Sequence, residues 1–216
     1  MAAWLARTGR VGVEPFEVEV GGDRVTMQVH ARGADGVYDV SVRMGRARVG
    51  AEAVGLALDA PGVRAGEPPT VTIALGAAGT VAVLPVSVGN PHAVVFDEPL
   101  ERARLEAVGS SLAVHAAFAH GTNVQLARVR APGQLEARVW ERGVGWTAAS
   151  GTSACAVAVA AVSSGRASPG EHRVHMEGGV LRVSVDEALE VTLRGPVQEV
   201  CEGELAEGFL AGLAGD

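Results

Sequence analysis

Thiol groups are scarce in this sequence, and their scarcity excludes two kinds of architecture. Its 216 residues include two cysteines, Cys155 and Cys201, which are too few for a disulfide framework and are not spaced as metal ligands. Residues 1–10 lack the apolar core and the cleavage site of a secretory signal, and no apolar run reaches membrane-spanning length. We therefore expect a cytoplasmic protein without a metal site.

Positive charge is also limited. Lysine is absent, so all 18 basic residues are arginines, and they are scattered along the chain. Against 25 acidic residues they leave a net charge of −7. Because nucleic acids and anionic membranes attract basic surfaces, we expect neither as a partner.

Aromatic residues make up 4% of the chain, so its core has to be built from alanine, valine and leucine. Alternation of apolar and polar residues predicts many strands with few helices, which is typical of an α+β fold. Residues 1–9 and 99–114 are predicted helices, and residues 50–69 are a predicted connector. Turns are expected at Gly21-Gly22 and at residues 33–36. The predicted strands are residues 16–20, 25–31, 38–45, 71–75, 80–89, 93–96, 123–130, 135–140, 172–176, 180–185 and 190–195.

One helix is predicted to be buried on all sides. After Ser150 the chain runs through small and apolar residues and stops at Gly165, a residue typical of a helix C-terminus. A helix that is apolar all round lies inside a domain. Its first turn still carries unpaired N–H groups, so residues 149–153 are expected either to hold an anion such as a carboxylate or simply to cap a core helix.

Three other loops carry polar side chains at strand ends. Each has an ordinary interpretation as a turn, a cap or a surface ion pair. Together with residues 149–153 they supply the groups that bind an α-amino acid, because arginine and helix N–H groups suit its carboxylate while glutamate and asparagine suit its ammonium. These loops are residues 89–92, 121–123 and 141–143.

Three long segments resemble diaminopimelate epimerases in order and spacing: VSVGNPHAVVF (86–96), HAAFAHGTNVQLARV (115–129) and RVWERGVGWTAASGTSACAVAVAA (138–161). LRGP (193–196) is similar to the closing strand of that family. The resemblance implies an α+β fold of two pseudo-symmetric halves, each a sheet of antiparallel or mixed strands around a central helix. It also implies a site between the halves that uses two cysteines, on opposite faces of the substrate, and no cofactor.

The resemblance divides the chain into three parts. Residues 1–68 are expected to form an incomplete N-terminal half, residues 69–196 a C-terminal half with the central helix 150–164, and residues 197–216 a closing strand and tail. Residues 1–11 resemble the helix that follows the family's first catalytic loop, so we expect the preceding segment, with one catalytic cysteine, to be absent. An incomplete half would leave an edge or apolar surface uncovered, which favours a homodimer.

The family's site residues carry over position by position. Asn90 and Asn123 resemble its substrate-binding amides, and Glu141 and Arg142 the pair that holds the α-amino and α-carboxyl groups. His92 resembles a histidine near the catalytic thiol. Ser150, His92 and Glu141 are therefore the predicted catalytic positions. The predicted substrate-binding residues are Asn90, Asn123, Glu141, Arg142, Gly151 and Thr152.

Two departures from the family pattern change the chemistry. Ser150 stands where the family has a catalytic cysteine, and Trp146 stands where it has a second glutamate. A thiol has a pKa near ~8.5, whereas a hydroxyl needs a neighbouring base before it can react. Cys155 matches the family's other cysteine, inside the helix, and is expected to pack in the core.

Three hypotheses follow. The chain resembles a cofactor-independent amino-acid epimerase of lysine biosynthesis, with an amino acid as its small-molecule partner, and it is impaired by the loss of its thiols. Alternatively, it is a catalytically silent amino-acid-binding or structural paralogue. The third possibility is a single-base isomerase or lyase of the same fold, with His92 or Glu141 as the base.

Overall fold

The structure, a computed structural model, describes residues 1–20, 23–67 and 69–209. Within them the chain forms one 14-stranded sheet and three α-helices, which confirms the predicted α+β fold. The helices are α1 (Ala2–Arg7), α2 (Arg102–Leu112) and α3 (Gly151–Ser163). The strands are β1 (Phe16–Val20), β2 (Asp23–Arg32), β3 (Tyr38–Arg46), β4 (Arg48–Val49), β5 (Val63–Ala65), β6 (Val71–Ala74), β7 (Thr80–Ser87), β8 (Pro91–Phe96), β9 (Asn123–Ala131), β10 (Gln134–Glu141), β11 (Gly145–Thr147), β12 (Gly170–Met176), β13 (Gly179–Val185) and β14 (Glu190–Val197).

The sequence pattern found the long elements but not the short strands β4, β5 and β11. Residues 50–69 are accordingly more than a connector, since they include β5 and a 3-10 turn at Glu52–Val54. The predicted turn at Gly21-Gly22 lies outside the described residues, whereas residues 33–36 do join β2 to β3, with Gly36 at a φ of 81°.

The sheet curls into a ring around α3. Residues 38–49 close this ring, because β3 pairs with β14 and β4 pairs with β7. Between these two seams the neighbours run β14, β13, β12, β10, β9, β8 and β7. Residues Ala154 to Ala161 of α3 are fully buried inside the ring, as the small side chains of this helix predict.

The two long helices lie on opposite faces of the sheet. Val94 and Ala127 belong to the core around α3, while their strand neighbours Val95 and Leu126 belong to the core under α2. Each helix makes a crossover between two parallel strands, α2 from β8 to β9 and α3 from β10 by way of β11 to β12. All other named strand pairs are antiparallel.

The N-terminal residues form a smaller layer at one end of the sheet. Helix α1 packs through Ala2 and Ala3 against Val29, Tyr38 and Val40 of β2 and β3. In the part of the chain that the structure describes, β1 pairs only with β2. One edge of the sheet is therefore open at β1.

The predicted division of the chain into three parts, at residues 68 and 196, stays a prediction. Strand β3 of the first part and strand β14 of the second pair within one continuous sheet. No described helix is long and apolar enough to cross a membrane.

Candidate functional site

Strand alternation brings three of the predicted binding residues to the same end of the ring. Asn123 and Gln125 alternate inward with Ala127 on β9, and β8 runs parallel to β9 with His92 beside Asn123. On β10, Val139 lies opposite Gln125 and faces α3, so the next inward position is Glu141. Asn123 and Glu141 consequently face the ring interior where β8 begins and β10 ends. Asn90, which precedes β8, contacts His92 at the same end.

Helix α3 begins at this same end. Ser150 is its N-cap residue in an extended conformation, and its carbonyl accepts the N–H of Ala154 at 3.0 Å. The Ser150 side chain makes no capping hydrogen bond, although a serine there was predicted as a cap. Residues Ser150, Gly151 and Thr152 are half-buried, so the start of the helix is not on a fully solvated surface.

Gly151 lets the first turn of α3 approach β14. A Cβ at this position would lie 2.9 Å from Cδ2 of Leu193, closer than real Cβ contacts. Close packing against β14 therefore needs a residue without a side chain here.

Asn123 joins two of the predicted loops. Its Nδ2 donates to the carbonyl of Pro91 at 3.2 Å, and its Oδ1 accepts the backbone N–H of Arg142 at 3.0 Å. Because a carbonyl only accepts and a backbone N–H only donates, both ends of this amide have a fixed orientation. Asn123 thus ties the loop at residues 89–92 to the loop at residues 141–143.

Gly121 positions the side chain of Arg142. Its φ of +66° requires glycine, and a Cβ there would lie 2.6 Å from the Ala113 carbonyl and 3.0 Å from Cδ of Arg142. The exposed Arg142 guanidinium crosses this glycine and donates through Nη1 to the carbonyl of His120.

His92 is fully buried and has both ring nitrogens hydrogen-bonded. Its Nε2 lies 2.9 Å from Oδ1 of Asn90, and its Nδ1 lies 3.0 Å from Nε2 of Gln125. Burial lowers its pKa to about 4. His92 is therefore a neutral imidazole at pH 7.

The cluster also contains Gln125, which the sequence did not identify, and Ser153, which it named only as part of the helix start at residues 149–153. Gln125 donates from Nε2 to Oγ of Ser153 at 2.9 Å as well as to His92, and both Gln125 and Ser153 are fully buried. The available signal was a glutamine facing inward within an otherwise apolar strand, since a buried amide needs partners.

Trp146 and Cys155 lie away from the cluster. The Trp146 ring packs against the core under α2 with the guanidinium of Arg102 4.0 Å from its centre, so it does not occupy the ring interior. Cys155 packs in the core around α3, as predicted, and burial raises the pKa of its thiol to about 12.

The structure therefore connects Asn90, His92, Asn123 and Arg142 through hydrogen bonds, and places Glu141 beside them by strand register. The side chain of Glu141 makes no hydrogen bond or ion pair with another described residue. Whether these residues bind substrate stays a prediction, as does a cleft at the start of α3. A cavity of about 570 Å³ lies instead beyond the C-terminus of α3, beside Arg166 and His172.

No group of three or more metal-ligating side chains occurs among residues 1–20, 23–67 and 69–209.

Known proteins are similar to this chain in sequence and in fold. A family model described as diaminopimelate epimerase matches residues 84–200, which is more than half of the chain. The diaminopimelate epimerase of Desulfitobacterium hafniense is 35% identical over 211 residues, covering 97% of this chain and 71% of that protein. The diaminopimelate epimerase of Desulforudis audaxviator is 49% identical over 123 residues, covering 56% of this chain and 44% of that protein.

A hydroxyproline epimerase from Agrobacterium vitis has the same fold, with a TM-score of 0.65 at 18% identity over 92% of this chain and 63% of that one. The chain therefore spans between 44% and 71% of the length of these three proteins. The family model, and the match of nearly the whole chain to the Desulfitobacterium protein, together show that the chain belongs to the diaminopimelate epimerase family.

Proposed function

We propose that this chain binds an α-amino acid of the diaminopimelate type, as a cofactor-independent epimerase-family protein of lysine biosynthesis. We further propose that it carries out little inversion of that amino acid. The observation that supports this most is the convergence of Asn90, Asn123, Glu141 and Arg142 at the end of the ring where α3 begins. Family membership supports the substrate class.

The binding groups suit an α-amino acid. The guanidinium of Arg142 and the N–H groups of Gly151 and Thr152 are cationic or partly positive and would hold a carboxylate. Glu141 would hold the ammonium. The guanidinium now contacts the His120 carbonyl, so binding would require it to exchange that partner for the ligand.

The residues present lack the pair of proton-transferring groups that inversion requires. Inverting an α-carbon needs a proton acceptor on one face and a donor on the other, and each such group contributes about 10²–10⁴-fold in rate. Ser150 offers a hydroxyl on one face. Cys155 is buried with a pKa of about 12, and Cys201 is exposed beyond β14, so neither thiol suits the task.

The single-base alternative is better served by Glu141 than by His92. A general base needs an atom that is free to accept the substrate proton. Both ring nitrogens of the fully buried His92 already have hydrogen-bond partners. We propose that His92 acts through Asn90 as a positioning residue.

Binding and turnover are separated by two measurements on the chain as it stands. Calorimetry with LL- and meso-diaminopimelate, and with trans-4-hydroxy-L-proline for comparison, measures binding. Proton NMR in D₂O measures loss of the α-hydrogen, and chiral chromatography measures inversion. We expect diaminopimelate to bind with inversion near background, because no reactive thiolate is present.

The variant Ser150→Cys tests the assignment of this position. A thiol there should increase α-hydrogen exchange with little inversion, since only one face would gain a base. Ser163→Cys places a thiol at the other end of the same helix and should leave exchange unchanged. Efficient inversion by the parent chain, or no binding of any amino acid, would contradict the proposal.

A further inference from the structure

Four side chains form a continuous line of hydrogen bonds from α3 to the loop before β8. We call this set the amide–imidazole line; its members are Ser153, Gln125, His92 and Asn90. The hydrogen-bond distance is 2.9 Å from Ser153 to Gln125, 3.0 Å from Gln125 to His92 and 2.9 Å from His92 to Asn90. The first three are fully buried, and only Asn90 reaches the half-buried end of the ring. The line therefore connects the central helix to a predicted binding residue.

From Gln125 to Asn90, the hydrogen bonds of this line run in one direction, while Gln125 also donates to Ser153 on its other side. Oδ1 of Asn90 can only accept, so Nε2 of His92 must carry the proton. Nε2 of Gln125 can only donate, so Nδ1 of His92 must be the bare nitrogen. Two independent contacts thus specify the same neutral tautomer.

The second contact of Gln125 favours this direction. Its two amide hydrogens serve His92 and Ser153, leaving one orphan acceptor, the buried Oε1. If the Gln125 amide were rotated by half a turn, its oxygen would face His92 and Ser153. Its two N–H groups would then be left without partners. The observed orientation leaves fewer buried polar groups without a partner, and it is favoured because such groups are destabilising.

We infer that Gln125 and Ser153 are positioning residues that fix the direction of this line and so make Asn90 a hydrogen-bond donor toward the ligand. With Oδ1 of Asn90 engaged by His92, its amide N–H groups are the ones left to face a ligand. Asn123 is restricted in the same way, because its Oδ1 is engaged by the Arg142 N–H and its Nδ2 keeps a second hydrogen.

This direction assigns the ends of the ligand, on the basis of the proposed function. Both asparagines would donate their remaining amide N–H groups to a carboxylate oxygen. Each Oδ1 already accepts one hydrogen bond, so the carboxylate of Glu141 is the stronger partner for the ammonium. This assignment differs from the sequence-based expectation that glutamate and asparagine hold the ammonium together.

Nitrogen-15 NMR of the histidine rings tests the direction without any ligand. We expect the parent chain to show His92 as the neutral Nε2–H tautomer, with the signal assigned by its loss in His92→Gln. Finding the Nδ1–H tautomer in the parent would overturn the inference, whether or not any variant folds.

Gln125→Glu tests the role of the amide. The carboxylate has nearly the same shape but only accepts, so Nδ1 of His92 should become protonated. Gln134→Glu is the matched control, because Gln134 also contacts a histidine, with Oε1 2.6 Å from Nε2 of His175. The control should leave the His92 signal unchanged, and an unchanged His92 in Gln125→Glu would contradict the inference.

Calorimetry with diaminopimelate and with lysine, which lacks one carboxylate, tests the consequence for the ligand. We expect Gln125→Glu to weaken diaminopimelate binding by about tenfold and to reduce its preference over lysine, because Asn90 loses its donor orientation. The expected tautomer without any amino-acid binding would refute the proposed function and keep the line. The opposite tautomer with intact binding would refute the line and keep the proposed function.

Discussion

Gly109 of α2 lies directly against the indole of Trp140 on β10. A Cβ on Gly109 would be 2.6 Å from Cγ and 2.7 Å from Cβ of Trp140, so the helix and the strand touch through the bare α-carbon. Gly109 is fully inside the helix, where glycine is usually unfavourable by roughly 1 kcal/mol relative to alanine. The contact with Trp140 explains why glycine stands there.

We predict that Gly109→Ala destabilises the protein although it favours the helix. Overpacking of this kind costs about 1–3 kcal/mol in free energy of unfolding, which exceeds the gain in helix propensity. Urea denaturation measures the difference. Ser110→Ala, an exposed change one residue along, should shift the free energy by less than about 0.5 kcal/mol. A more stable Gly109→Ala chain would show that α2 moves freely over β10.

Asp39 stabilises the seam between β3 and β14. Its Oδ2 lies 2.6 Å from Nη2 of Arg194 and 3.0 Å from Nη2 of Arg182. Hydrogen bonds from Arg194 and then Arg182 hold the pKa of Asp39 below its usual value, against the effect of partial burial. We predict that Asp39→Asn lowers the free energy of unfolding by about 1–2 kcal/mol at pH 7.

The pH dependence of this difference has a definite sign. Because the pKa of Asp39 is lower in the folded chain, its stabilising effect is complete above the unfolded value of about 3.9 and is lost as the pH falls through the folded value. The difference between parent and Asp39→Asn should therefore shrink in acid. The exposed Glu187→Gln variant is the control, and an equal loss in it would contradict the assignment.

His92 predicts a second pH effect, in a higher range. Its pKa is lowered to about 4 in the folded chain, whereas an unfolded histidine titrates near about 6.5. The unfolded chain takes up the proton first, so stability should fall between about pH 6.5 and pH 4, by at most about 1.4 kcal/mol per pH unit.

Urea denaturation at a series of pH values would detect this slope. His92→Gln should have a shallower slope than the parent, since glutamine does not titrate. His120→Gln, at an exposed site, should keep the parental slope. Equal slopes in the parent and His92→Gln would mean that folding does not lower the pKa of His92.

The open edge of β1 predicts self-association. Unpaired strand edges accept a second strand, and among the described residues β1 pairs only with β2. Sedimentation velocity over a range of concentrations should show a dimer in exchange with the monomer. A monomer at every concentration would contradict this prediction.

Adjacent proline variants provide an internal control for this experiment. Of two neighbouring strand residues such as Glu17 and Val18, only one directs its N–H away from β2. Proline at that position should weaken the dimer and keep β1 in place, while proline at the other should break the pairing of β1 with β2.

The sequence predicted the long strands well because alternation is a local property. β1 has the predicted bounds, and β9 extends one residue beyond them. The same alternation contains no information about partners, so the parallel pairing of β8 with β9 and the short strand β4 were not predicted. Parallel pairing depends on where each crossover helix returns the chain, which is a tertiary property.

The candidate site was predicted in part. The motifs named Asn90, His92, Asn123, Glu141 and Arg142, and they included Ser153 only within residues 149–153. Gln125 was not named, because both of its partners are distant in sequence. A buried polar residue is informative only once its neighbours are known. The orientation of a side-chain amide similarly depends on groups from three separate segments.

The position of residues 38–49 in the chain has a consequence for synthesis. These residues close the ring at both seams, yet they leave the ribosome before every other strand of that ring. β3 cannot pair with β14 until nearly the whole chain has been made, and contacts of such long sequence separation form slowly. During translation the nascent protein therefore carries an unpaired edge on β3, so chaperones that bind exposed strands would meet residues 38–49 while the rest of the ring is still being made.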